Sequence, residues 1–195
     1  MTIRRLVRNS SGQALIETAL IMPLLLTIVL NAVNFAFFFL MALNITSSSR
    51  TSGIYSIMGG ATPASKALPK AGPETTASTV TYLAYQDLTG AVSTPSTSNT
   101  GVNVCSSTVG VSGSGASTVT SCTSNGIGGG FPSSAAADPE APSFLLGRVD
   151  VAYKFTPPLP FTGFNLLLLG SPNCDTSGGS VTCTFYRHIV MRQMQ

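Results

Sequence analysis

Residues 18–49 carry no charged side chain, and most of the first 26 positions of that run are Leu, Ile, Val, Phe, Met or Ala. A helix crosses the roughly 30 Å of bilayer hydrocarbon with about 20 residues, so the run predicts a membrane-spanning helix whose far end projects from the bilayer. It also exceeds the apolar core of a secretory signal, which is about 7–15 residues long. Gly59, Gly60, Pro63, Pro69 and Pro73 then interrupt helical continuity, and the anchor is expected to stop near Met58. Over 74–89 a short helix is predicted: Pro73 suits a first turn, Val80, Leu83, Ala84 and Leu88 share a face, and Gly90 can end it. Residues 88–137 again lack charge but consist mainly of Ser, Thr, Gly, Asn and Val. Short strands are permitted at 102–104, 109–111 and 118–120, while the frequent Gly and Ser favour a flexible, low-complexity surface loop. In the last part, Val149, Val151, Tyr153 and Phe155 alternate with polar or small residues, as do Val181, Cys183, Phe185 and Ile189. Two half-buried strands, 149–155 and 181–191, are predicted to pair antiparallel. Between them, Leu166 to Leu169 form a run too short to span a membrane and are expected to pack on that sheet, with contact to a partner subunit as the alternative.

Composition sharpens this picture. Only 9% of the 195 residues are charged against 44% hydrophobic, where an ordinary soluble domain is about 25% charged. Ser and Thr contribute 48 residues, which disfavours an all-helical fold. The predicted architecture is α+β, with a long N-terminal transmembrane helix followed by a small extracytoplasmic domain that contains an antiparallel sheet and a low-complexity loop. The net charge of +3 is accounted for by Arg4, Arg5 and Arg8, so nucleic acid is not an indicated partner. Those arginines precede the span, and basic residues are retained on the cytoplasmic side. The amino terminus is therefore expected in the cytoplasm and everything beyond about residue 45 outside it, in a compartment that permits disulfides.

Polar residues inside the span stand out because each is costly in hydrocarbon unless paired. Thr27, Asn31 and Asn34 recur at intervals of four and three, forming a stripe that suits hydrogen bonding to another helix. Pro23 lacks an amide hydrogen and is expected to bend the helix or loosen one turn. Glu17, at the cytoplasmic edge, has two readings. It is either a solvated carboxylate near the positive end of the helix dipole or the partner of a nearby amine.

The stretch Arg4-Arg5-Leu6-Val7-Arg8-Asn9-Ser10-Ser11-Gly12, followed by Gln13-Ala14-Leu15-Ile16-Glu17 and the apolar run, resembles a type IV prepilin leader. More specifically, Gly12-Gln13-Ala14-Leu15-Ile16-Glu17-Thr18-Ala19-Leu20-Ile21-Met22-Pro23-Leu24-Leu25-Leu26 resembles the start of TadE-like proteins of the tight-adherence (Flp) pilus system. The segment Ser49-Arg50-Thr51-Ser52-Gly53-Ile54-Tyr55 is similar to the small-residue, arginine, glycine and tyrosine region that ends the family's long helix. At Asn34-Phe35 the sequence departs from the many members with an acid before the phenylalanine. The resemblance covers residues 10–58. It implies a minor pilin or pseudopilin of the bacterial inner membrane that supports assembly of an Flp-type pilus in adhesion and biofilm formation. A prepilin peptidase would cut after Gly12, leaving Gln13 as the terminus and Glu17 as the fifth residue. Other Flp/Tad pilins and assembly-platform proteins would be partners. The implied organisation is a leader over 1–12, an assembly helix over 13–58 and a TadE-like outer domain over 59–195 with an insertion at about 88–143. The competing reading is a membrane-anchored adhesin or envelope-binding module whose helix only tethers it.

Cys105, Cys122, Cys174 and Cys183 all follow the span and allow three pairings. Joining nearest neighbours closes two Gly/Ser-rich loops and limits the unfolded ensemble where apolar burial is meagre. Zinc is the poorer alternative, because no C-x2-C pair occurs. His188 lacks an evident nucleophile or acid partner, and Asp138 and Glu140 lie among prolines in a solvated linker. No catalytic residue, metal site or cofactor is therefore assigned.

Overall fold

A computed structural model describes residues 10–58, 69–90, 94–112, 115–128, 130–133 and 144–194 of the chain. Helix α1 (Ser10–Met58, 49 residues) is followed by a short helix α2 (Val80–Leu88). Five strands follow: β1 (Thr100–Ser112), β2 (Gly115–Gly126), β3 (Phe144–Phe155), β4 (Cys174–Ser177) and β5 (Ser180–Met194). All pairings are antiparallel, in the order β2-β1-β3-β5-β4. The α+β class read from the sequence is the one observed.

β3 and β5 contain the two alternating segments, with Val149 opposite Ile189 and Tyr153 opposite Phe185. Both strands run longer than the alternation alone indicated. One face of the sheet, carrying Val102, Val104, Val149, Val151, Tyr153, Phe155, Val181 and Phe185, packs against Met41 and Ile45 of α1 and Val80, Ala84 and Leu88 of α2. Phe38 of α1 wedges between two rings, its centroid 4.8 Å from Phe185 and 6.3 Å from Phe155. Each such buried side chain stabilises the fold by about 1.5–3 kcal/mol relative to exposure, which is why α1 is held along the sheet.

Two expectations are corrected. The short helix begins at Val80, not near residue 74, because Thr79 caps it by accepting from the Tyr82 amide at 3.1 Å. Upstream, the Pro73 carbonyl accepts from the Thr76 amide and the Thr79 hydroxyl, a turn that competes with helix. The 88–143 segment is not simply a surface loop: β1 and β2 form a hairpin that joins the sheet through β1–β3 pairing. Gly101 and Gly126 face each other at the foot of the hairpin, and a methyl group at Gly101 would collide with the Ile127 carbonyl oxygen. Absence of side chains therefore lets this polar ladder close. Residues 91–93, 113–114, 129 and 134–143 of the segment, with Asp138 and Glu140, lie outside the described residues, as do 59–68.

The cysteines pair as nearest neighbours, Cys105–Cys122 and Cys174–Cys183. Each bridge links residues directly opposite in a ladder, β1 to β2 and β4 to β5, so both staples act across strands.

Candidate functional site

α1 changes character along its length. From Gly12 to Leu26 every residue is exposed, with Leu15 at 72% and Leu20 at 75%. From Asn31 onward the buried positions are Asn31, Asn34, Met41, Ile45, Ser48, Ser49, Ser52, Gly53 and Ser56, a helical stripe facing the rest of the chain. Small residues dominate its far end. Gly53 lies so close to Ile189 that a methyl group there would overlap the Ile189 Cγ2 atom, and the Ser48 hydroxyl donates to Ala84 O of α2 at 3.3 Å. The segment Gly12–Ile57 is long and apolar enough to cross a membrane.

Where the exposed and packed parts meet, α1 binds a lobe formed by residues 157–172, which includes a single 3-10 turn at Thr162–Phe164. Asn34 is fully buried. Its Nδ2 donates to Leu159 O and Phe164 O at 2.9 Å and approaches Asn165 Oδ1 at 3.0 Å, while its Oδ1 accepts from the Leu159 amide at 3.4 Å. Asn31 Nδ2 donates to Thr27 O and Gly163 O, and its Oδ1 accepts from the Leu166 amide at 2.8 Å. Asn165 completes the set by donating to Leu159 O and Phe161 O at 2.6 and 2.8 Å. In this chain the Asn31 and Asn34 side chains, expected to face another helix, hydrogen-bond to residues 159–166. Thr27 turns its hydroxyl back to Pro23 O at 2.9 Å. α1 continues through Pro23 as one helix.

The 166–169 run divides. Leu168 enters the core at 2% exposure, whereas Leu166 and Leu167 are 60% and 62% exposed and Leu169 is also outward. The expectation that the whole run packs on the sheet therefore holds for Leu168 alone. Asn165, the keystone of the lobe, escaped sequence reading because a single Asn before leucines carries no periodic signal.

The residues around the leader junction are placed simply. Gly12 and Gln13 lie in the exposed first turns of α1, and Glu17 is exposed one turn further on. Residues 1–9 lie outside the described residues.

The opposite face of the sheet holds a polar cluster at β3. Asp150 is fully buried and accepts from Arg148 Nη2 at 2.7 Å, from the Tyr186 hydroxyl and from Asn103 Nδ2 at 3.2 Å. The hydrogen bond to Asp150 pushes the Arg148 guanidinium further above its ordinary range, and burial followed by the Asp150 bond raises the Tyr186 phenol. Asn103 also donates to Pro132 O, and the Phe131 ring lies tilted against Tyr186 with centroids 5.8 Å apart, so the cluster is roofed by the chain. Every charge in it is paired, as a structural network requires. His188 is exposed on β5, and among the described residues no group of three or more His, Cys, Asp or Glu is placed to hold a metal.

The site with a distinctive form is therefore α1 itself. Its sequence decides the family likeness. Residues 12–53 match the family model for TadE-like proteins. The TadE-like segment thus begins at Gly12, includes the whole exposed part of α1 and ends at Gly53, where the packed stripe meets β5. α2 and the whole sheet lie outside it. No curated protein and no solved structure shows significant similarity to the chain.

Proposed function

We propose that the protein is a minor pilin or pseudopilin that supports assembly of an Flp-type pilus in adhesion and biofilm formation. One observation supports this reading above the others: the TadE-like segment coincides with a helix that exposes large apolar residues all round for its first four turns and docks its own outer domain with the rest. A helix apolar on every side belongs in lipid or among other helices. In this reading a prepilin peptidase cuts after Gly12 in the exposed first turn, and the new amine at Gln13 lies near Glu17 on its own or a neighbouring subunit. Neutralising that pair in a low-dielectric setting fixes the axial register of packed helices. The amino-terminal end faces the cytoplasm and the disulfide-stapled domain faces the periplasm, with Flp/Tad pilins and platform proteins as partners. No catalytic residue enters the proposal.

The test is Glu17→Ala in the full chain. The variant should insert into the membrane at the level of the parent and be depleted at least tenfold from the pilus fraction and its membrane machinery. Normal incorporation contradicts the assembly role and favours a tethered adhesin.

A further inference from the structure

We infer that the 157–172 lobe is a second membrane-contacting element, seated in the outer leaflet beside α1 with Phe161, Leu166 and Leu167 in the acyl region. The inference rests on the reading of α1 as a membrane span. Glu17 is the last ionisable side chain before the charge-free run. Counting about 20 residues of hydrocarbon from Thr18 brings the span to about Phe37. Asn31 and Asn34, which hold the lobe, then lie about 5–10 Å inside the outer boundary. The lobe is fixed at that depth, because an Asn-mediated lock attaches it to the helix.

Its chemistry suits that depth. Residues 155–174 contain no charged side chain. Phe161, Leu166 and Leu167 are each at least 60% exposed. The latter two border an almost wholly apolar groove whose other wall is Leu24 and Ile28 of α1, residues in the span itself. The apolar surface of the lobe is therefore continuous with that of the membrane helix. The backbone of the lobe supplies the independent argument. Irregular chain is excluded from hydrocarbon unless its polar groups are satisfied within the protein. Here the carbonyls of Leu159, Phe161, Gly163 and Phe164 and the amides of Leu159 and Leu166 are met by three asparagine side chains. The lobe thus meets the condition for irregular chain at that depth while presenting leucines outward.

The chain contains no tryptophan, so single-Trp variants report position directly. Leu167→Trp and Phe161→Trp probe the lobe, Leu20→Trp probes the span, and Ile54→Trp, 49% exposed near the far end of α1, reports the water side. Each full-length variant is placed at one copy per nanodisc in phosphatidylcholine with or without brominated acyl chains. Blue-shifted emission quenched at least twofold by brominated lipid is expected at Leu20, Leu167 and Phe161, with neither effect at Ile54. If Leu20→Trp is quenched while both lobe reporters emit as water-exposed indole, the lobe stands clear of the bilayer and the inference is overturned. Blue-shifted but unquenched lobe reporters mean that protein covers the lobe, which overturns it equally. An unquenched Leu20→Trp removes the membrane reading on which it rests.

Discussion

The two parts of α1 obey opposite rules although they belong to one helix. Before residue 27 the large apolar side chains are outside, at 46–75% exposure; after residue 47 the buried stripe is Ser48, Ser49, Ser52, Gly53 and Ser56, while Ile54 is outside. In a water-soluble domain the large residues would fill the core. The inversion has two causes. The first part is apolar all round, as suits a helix that spans a membrane or packs among other helices. The last part uses small residues because β5 and α2 approach its backbone closely, as Gly53 against Ile189 demonstrates. Asn31 and Asn34 mark the changeover, where hydrogen-bonded docking begins on one face while Phe35, Phe39, Leu40 and Leu43 stay exposed on the others. Hydropathy therefore describes what surrounds a helix face, and residue size describes how near its neighbour comes.

Substitutions on either side of the changeover should separate these regimes. Asn34→Leu keeps α1 apolar but leaves Phe164 O, Asn165 Oδ1 and the Leu159 amide without their partner. At roughly 1–3 kcal/mol for each buried orphan, a loss of about 4 kcal/mol is expected, with fast amide exchange over 159–166. Urea unfolding and hydrogen exchange in nanodiscs measure both. Leu20→Ala, on the exposed part, should change the unfolding free energy of the sheet domain by less than about 0.5 kcal/mol. Equal effects of the two would abolish the distinction.

Replacing Cys105 and Cys122 together by Ser should cost about 3 kcal/mol, since the bridge closes a loop of 17 residues in a Ser/Thr-rich hairpin. Chemical unfolding under non-reducing conditions reads this change. Gly53→Val overpacks the α1–β5 contact and should cost about 2 kcal/mol, whereas Ile54→Val, one position away and exposed, should be near neutral in the same assay. Tyr85→Phe removes the hydroxyl that donates to Thr100 O at 3.2 Å and should cost about 1 kcal/mol. Burial, reinforced by Glu74, pushes the Tyr85 phenol up to about 12. Its contribution is then full below the ordinary phenol value near 10 and is lost as pH rises through 12. An alkaline unfolding profile between those values should be shallower in Tyr85→Phe than in the parent.

How much of this was legible depends on what each element presents as pattern. β3 and β5 were visible because Val149, Val151, Tyr153 and Phe155 alternate, and α1 was visible because charge is absent for 32 residues. The hairpin was under-read because Gly101, Gly126 and the serines between them suggest a loop, whereas disulfide cross-linking and pairing with β3 favour strands. The early start assigned to α2 came from Pro73, a valid first-turn residue that here opens a separate turn. The asparagine stripe was found, but its partner was not. Sequence spacing reveals that Asn31 and Asn34 share a face, and only tertiary structure reveals that residues 159–166, more than 120 positions away, return to meet it.

We propose that the exposed part of α1 begins as a processed terminus and serves assembly as well as anchoring. Amino-terminal sequencing of protein extracted from native membranes tests this most directly, with Gly12→Leu as the comparison. A terminus at Gln13 is expected in the parent and an unprocessed chain in the variant. A functional, membrane-extracted parent that still begins at Met1 would contradict it.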